Sequence, residues 1–300
     1  MPFLGVAPWR SQLFAGQHCP DDVLVPVDDP PTWDLYPDRR WLHNKLAICA
    51  SQGLPHGPHG TDPPAFPVFS KPIYNLRGMG AGGRIIESDD DYRSSLTPGH
   101  FWMPLLTGPQ VSTDLSLIEG YIAWCRHTTG VPLAQGMFDY WIVHAETMPE
   151  LESSLADWIR RHLRGFTGVI NIETIGGRMI ECHLRMSDQW VDLNGAGWLA
   201  AVIGLYAGDG WRLVEQRRTG YSVVVFGPPG LVPRIDPAAV AGLAQTGGIS
   251  SVQIAFDQTR PADAHAMPPG GFRQAIINCW DLRIGIGVRS KLQHLGRPIS

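Results

Sequence analysis

Cysteine is scarce in this chain and never grouped. The five thiols, Cys19, Cys49, Cys125, Cys182 and Cys279, stand singly with no CxxC pair, which reads as reduced thiols in a cytoplasmic protein. Charge is thin as well: 17% of residues are charged against 44% hydrophobic, a balance that excludes disorder as the overall state. Lys and Arg form no run and the net charge is −4, so there is no basic field for nucleic acid. No apolar stretch reaches membrane-spanning length, and the N-terminal Met1 to Arg10 lacks the apolar core of a signal peptide. Neither HExxH nor HxH occurs, which weakens a metal-dependent hydrolase built on His144, His183 and nearby carboxylates. No internal repeat or low-complexity tract is visible.

Glycine and proline are plentiful. The 300 residues include 34 Gly and 26 Pro, which implies many turns and an α+β or β-rich enzyme rather than a helical bundle. The length suits one large core or two modest ones. Residues 1–43 read as an extended, loop-like segment. Asn44 can cap a short helix through about Gln52, closed by Gly53. In the loop from Pro55 to Pro64, His56 and His59 have no cysteine beside them and read as solvent-exposed. Phe66 to Lys71 is a short strand leading into the glycine-rich loop Arg77 to Arg84, and Asp89-Asp-Asp reads as a solvated turn.

Further along, His100 to Leu106 is strand-like, and Val111 to Ile118 should pair with Tyr121 to Arg126 across Glu119-Gly120. Pro149 to Arg164 is an amphipathic helix, since Leu151, Leu155, Trp158, Ile159 and Leu163 recur at helical spacing. An apolar helix is expected near Gly195 to Tyr206, then strands at Tyr221 to Phe226, Ser251 to Phe256 and Ala275 to Ile277. His127 and His144 read as satisfied polar groups.

The most informative stretch is Gly168-Val-Ile-Asn-Ile-Glu-Thr-Ile-Gly-Gly-Arg-Met-Ile-Glu-Cys-His-Leu-Arg185. β-branched residues from Val169 to Thr174, a reversal at Gly176-Gly177 and a return from Met179 to Leu184 describe a β-hairpin. A three-residue reversal with Gly177 left-handed sets Glu173 directly opposite Glu181. A strict two-residue turn sends the two carboxylates to opposite faces. In the first case like charges repel across the pair, so a cation should lie between them, most economically a metal ion. Cys182 then alternates to the core side.

From Asn44 to Tyr206 the order of features resembles the ATP-grasp superfamily. Asn44-Lys45 at a helix start looks like the family's Asp/Asn-Lys, and Val68-Phe-Ser-Lys71-Pro like its strand ending in Lys-Pro. Met103-Pro-Leu-Leu106-Thr-Gly-Pro-Gln-Val-Ser-Thr-Asp114 resembles the hinge-and-return motif, and Glu181-Cys-His-Leu-Arg185 resembles the Glu-x-Asn-x-Arg signature. The resemblance implies two α+β subdomains clasping a nucleotide cleft. It also implies an ATP- and Mg-dependent ligase that makes an acyl phosphate for attack by an amine. Lys45 and Lys71 would meet the phosphates, the Met103 carbonyl and Leu106 amide would read adenine, and Gln110 would follow the hinge. Glu173 and Glu181 would hold the metal, with Asn171 as first ligand if the register shifts by two. Arg185 would orient the acyl phosphate, and the glycine loop would fold over phosphates with help from Arg77 or Arg84.

Departures from the family pattern set the alternatives. His183 stands in place of Asn; as a ligand an imidazole favours Mn or Zn over Mg. Met103 and Gln110 replace glutamates. Only residues 1–43 precede the Asn44-Lys45 pair, where the family carries an α/β substrate domain, so the acceptor site is expected in the tail or from a partner subunit. The expected organisation is an N-terminal segment 1–43, a lid subdomain 44–106, a large subdomain 107–210 with the hairpin, and a β-rich extension 211–300. A catalytically degenerate nucleotide-binding module acting with a partner protein is the competing reading. Small-molecule carboxylate and amine substrates, and no nucleic acid or membrane, complete the expectation.

Overall fold

Alternating apolar residues in the second half of the chain build one broad sheet, and shorter proline-bounded runs before it build a second. The computed structural model describes residues 3–76, 78–133 and 136–295. At the start, β1 (Phe3–Leu4) pairs in parallel with β2 (Val25–Pro26), and α1 (Asp29–Leu35) follows, with prolines in its first turn. Residues 1–43 are thus more structured than the loop-like segment expected. Phe3, Phe14 and Val25 lie in one buried cluster with Trp124, Val169 and Trp198. These apolar side chains follow no local period; distant residues hold them, so nothing in the local sequence announces them.

The capping of α2 (Lys45–Ser51) is as the sequence suggests, with Asn44 Oδ1 accepting from the Ala47 amide at 3.1 Å. The small sheet has the order β3-β6-β4-β5, from β3 (Gly57–Pro58), β4 (Val68–Pro72), β5 (Arg84–Ile86) and β6 (His100–Pro104). Two expectations are corrected here. Asp89 to Asp91 form the first turn of α3 (Asp89–Ser94), capped by Ser88, where their charge complements the helix N-terminus. His59 is partly buried rather than exposed: Nδ1 accepts from the Thr97 amide at 2.9 Å, which leaves Nε2 to donate to Ser70 Oγ at 2.9 Å. His56 is also partly buried, its Nδ1 2.7 Å from the Leu54 carbonyl.

The large sheet is antiparallel throughout, with order β11-β10-β7-β8-β9-β12-β14-β13. Its members are β7 (Gln110–Ile118), β8 (Tyr121–Pro132), β9 (Phe138–Val143), β10 (Gly168–Ile175), β11 (Arg178–His183), β12 (Gly220–Gly227), β13 (Ile249–Ile254) and β14 (Phe272–Cys279). β7 and β8 turn through Glu119 and Gly120, both left-handed at φ 53 and 83, a two-residue reversal that matches strand twist. The tail strands β12 to β14 continue this sheet rather than forming one of their own. Helices α4 (Pro149–His162), α5 (Trp198–Tyr206), α6 (Pro237–Ala244) and α7 (Leu282–Leu295) complete the element order.

Packing of α4 fixes the hairpin. Leu155, Trp158, Ile159 and Leu163 bury against Ile170, Ile172 and Cys182, each large aliphatic side chain contributing about 1.5–3 kcal/mol. With Ile170, Ile172 and Cys182 inward, Asn171, Glu173, Glu181 and His183 alternate to the other face. Among the described residues no helix is long and apolar enough to cross a membrane.

Candidate active site

The hairpin register combines both geometries that the sequence allows. The reversal is a two-residue turn with Gly176 and Gly177 at φ 55 and 78, and Ile175 pairs with Arg178 and Thr174 with Met179. That register alone would separate the carboxylates. Ile180 is then an extra residue, a β-bulge, beyond which Glu173 pairs with Glu181 and Asn171 with His183. The bulge has a second consequence: the Ile180 carbonyl accepts from Lys71 Nζ at 3.0 Å.

Two lysines from different elements meet this hairpin. Lys45 opens α2 and Lys71 lies on β4; both are buried, at 5% and 6% exposure, which excludes ordinary surface lysines. Lys45 Nζ is 3.5 Å from Glu181 Oε2, and Lys71 Nζ is 3.8 Å from Glu181 Oε1. Burial lowers the Lys71 ammonium, opposed by Glu181. Burial alone would raise Glu181, but Lys45, then His183 and Lys71, hold its carboxyl far below the usual carboxylate range.

Glu173 is in the opposite condition. Burial, then the neighbouring Glu181, pushes its carboxyl up. Its direct partner is Gln110, whose Nε2 donates at 3.2 Å, and it makes no ion pair among the described residues. A partly buried carboxylate beside another, with oxygen donors aligned by register, fits a hard divalent cation such as Mg²⁺.

His183 lies between two carboxylates. Nδ1 lies 2.8 Å from Asp29 Oδ2, and Nε2 lies 3.4 Å from Glu181 Oε2. Burial would lower this imidazole, but Asp29 outweighs it and lifts the pKa to about 9. Both ring nitrogens thus face carboxylates, and in the protonated form both donate. Asp29, which no motif in the sequence marks, is buried at the centre of this charge network. It also meets Arg185, Nε to Oδ1 at 3.3 Å, and Arg185 with His183 holds it far below the usual range despite its burial. The one local signal was Asp28-Asp29 before a proline pair, which read as a loop.

Asp114 braces the same face from β7. It accepts from Asn171 Nδ2 at 2.9 Å, the Ser187 amide at 2.8 Å and Trp190 Nε1 at 2.9 Å. Asn171 Nδ2 is thereby committed to Asp114 and Ser112.

Lys45, Lys71, Gln110, Glu173, Glu181, His183 and Arg185 all line one cleft of about 1070 Å³. Residues 78–81 and 83–84 of the glycine-rich loop line it as well, with Gly78, Met79 and Gly80 all left-handed. Arg84 pairs with Asp91 at 3.3 Å, and Arg77 lies outside the described residues. Met103 and Leu106 are not part of that lining. The Met103 side chain is buried at 2% exposure beside Cys49, and Leu106 packs against the same cluster.

On the opposite face, Cys125, His127 and Glu152 bring ligand atoms within 4.8 Å of one another. Their polar atoms are already engaged: His127 Nδ1 faces Thr113 Oγ1 at 3.0 Å, and its Nε2 faces Glu152 Oε1 at 3.0 Å. The same Glu152 oxygen accepts from the Met148 amide ahead of α4. His144 Nε2 faces Thr129 Oγ1 at 2.8 Å. Both histidines are satisfied polar groups, as their sequence context implies.

No family model matches the chain, and no curated protein matches it. Solved structures do. An L-amino acid ligase from Bacillus licheniformis superposes with a TM-score of 0.65 at 12% identity, over 97% of this chain and 84% of that one. Carboxyaminoimidazole ribonucleotide synthase from Aspergillus clavatus, complexed with ATP, gives 0.62 at 11% identity over 90% and 82%. The biotin carboxylase domain of Hydrogenobacter thermophilus 2-oxoglutarate carboxylase, solved with MgADP and bicarbonate, gives 0.59 at 11% over 92% and 69%. Two sheets border one cleft, and the chain has the ATP-grasp fold.

Proposed function

We propose that this chain is an ATP- and Mg-dependent ligase that activates a carboxylate as an acyl phosphate for attack by an amine. The observation that carries the reading is the convergence of Lys45, Lys71, Glu173, Glu181 and Arg185 on one cleft beneath a glycine-rich loop. Phosphoryl transfer asks a protein for positioned charge more than for covalent chemistry. Glu181 holds the Lys45 and Lys71 ammonium groups on the cleft wall, where nucleotide phosphates exchange one anionic partner for another. Glu173 and Glu181 are the residues that would hold Mg²⁺, which when bound neutralises phosphate charge. Arg185, fixed by Asp29, presents its guanidinium to the acyl phosphate. A substrate carboxylate oxygen bonds to the γ-phosphorus and ADP leaves. The amine nitrogen then bonds to the acyl carbon, inorganic phosphate leaves, and the nitrogen loses its proton to solvent.

In this reading the β3 to β6 sheet (44–106) serves as the lid, the β7 to β11 strands (107–210) as the base, and residues 211–300 extend the base. Adenine recognition falls to main-chain groups, the Met103 carbonyl and the Leu106 amide. Titration of the folded protein with ATP-Mg²⁺ should raise its stability by roughly 2.7 kcal/mol at about a hundredfold excess over Kd. No thermal shift with ATP-Mg²⁺ in folded protein would end the nucleotide reading. A second reading, a nucleotide-binding module without turnover, draws on His183, which already competes for Glu181. ATP binding with no ADP release across a panel of carboxylates and amines would favour it.

A further inference from the structure

Opposite charges alternate along the cleft wall away from the lysines. Glu181 faces His183, His183 faces Asp29, and Asp29 faces Arg185. Asp188 acts on Arg185 and pairs with Arg10, Nη1 to Oδ2 at 2.7 Å. The sequence of charges then ends unbalanced. Arg273, on β14, feels Arg10 as a repulsive neighbour and Asp188 as an attractive one, and its guanidinium makes no hydrogen bond or ion pair among the described residues. Arg10 Nε and Nη2 and Arg273 Nε are buried without a partner. A guanidinium does not shed its proton to escape such a place, so Arg10 and Arg273 bring two positive charges to a stretch of wall where Asp188 pairs with Arg10 alone and Asp28, pushed up by burial, lies alongside.

Beside this charge the wall is aromatic. Phe226 is the cross-strand partner of Arg273, Phe138 stacks on Trp141 at 4.2 Å between ring centroids, and all four residues line the cleft. The unpartnered N–H groups of Arg10 and Arg273 are donors for the two oxygens of a carboxylate; a phosphate dianion would bring a second negative charge beside Asp28 and Asp188. The adjoining rings match an apolar or aromatic body.

We propose that Arg10 and Arg273 bind the carboxylate of an amino-acid-like acceptor whose large apolar or aromatic side chain rests on Phe138, Trp141 and Phe226. This rests on the ligase reading for the word acceptor. A carboxylate clamped by two guanidinium groups is kept from the phosphoryl donor, while the amine of the same molecule remains free to attack.

The test is calorimetric titration of the full chain with L-phenylalanine, L-phenylalaninamide and phenethyl phosphate, with ATP-Mg²⁺ binding measured in parallel. The acid should bind at least about tenfold more tightly than the amide, the scale of a charge-assisted hydrogen-bond pair. Arg273→Met should erase that difference without changing ATP affinity, and Arg273→Lys should restore part of it. The acid–amide comparison on the unmodified protein stands even if a variant fails to fold. Equal affinity for acid and amide overturns the proposal, as does tighter binding of the phosphate ester. Failure to bind L-phenylalanine, L-tryptophan or L-leucine in protein that binds ATP overturns the subsite and leaves the ligase reading intact. Acid-selective binding in protein that never binds ATP upholds the carboxylate subsite and defeats the ligase reading.

Discussion

The two faces of the β10–β11 hairpin are built on opposite terms. One face is aliphatic: Ile170, Ile172 and Cys182 pack under α4. The other is ionic: Glu181 and His183 meet Lys45, Lys71 and Asp29, residues distant in sequence, with Glu173 beside Glu181. Apolar packing is non-directional and tolerates small changes of shape. The ionic face depends on register, because a slip of one residue would turn every carboxylate into the core. The packed face therefore sets the register that the ionic face requires, and the Ile180 bulge brings the last residues of β11 into line.

The largest effect should come from the ionic face. Glu181→Ala leaves Lys45 and Lys71 buried without their shared carboxylate and should cost about 3–5 kcal/mol in urea unfolding. A loss below about 1 kcal/mol would mean that water already compensates the lysines.

Asp29→Asn should cost about 1.5–3 kcal/mol, the scale of a hydrogen bond between charged partners. The pH dependence of His183 checks the same network. Its pKa is about 9 in the folded chain against an ordinary 6.5, so its stabilisation is fully present below pH 6.5 and lost as pH rises through about 9. The stability gap between the unmodified protein and His183→Asn should therefore narrow between pH 6.5 and 9. A gap that widens over that range would mean the imidazole is neutral when buried, and the Asp29 pairing would lose its charge.

Gly177→Ala tests the turn. Its φ of 78 is left-handed, but an added Cβ meets nothing within 4 Å, so the cost is the backbone preference alone, about 1–2 kcal/mol. ATP affinity should not change, because the bulge and α4 still hold the register; a large loss of affinity would place register control in the turn. The smallest effect belongs to the packed face. Ile172→Val should cost about 0.5–1.5 kcal/mol with nucleotide binding intact, and a tenfold loss of ATP affinity would show the two faces to be more tightly coupled than packing alone requires.

Much of this is legible in the sequence where the cause is local. Asn44 caps α2 because its side chain reaches the amide three residues on, and α4 shows because its apolar residues recur at helical spacing. Glu119-Gly120 marks a hairpin because both positions need a left-handed backbone. The hairpin and the outward set of Asn171, Glu173, Glu181 and His183 follow from strand alternation once Ile170 and Ile172 are given to the core.

Contacts between distant residues decided the rest. No local pattern says that Asp29 will lie against His183 and Arg185, that Ile180 will bulge with its carbonyl toward Lys71, or that Arg10 will share a cleft wall with Arg273. His183 stands at a ligand position of a motif, and only the fold sets its Nδ1 against a carboxylate more than a hundred positions earlier. Capping and periodicity act over a few residues and are written in order along the chain. Charge pairing acts through space, and its partners are chosen only when separate elements are brought together.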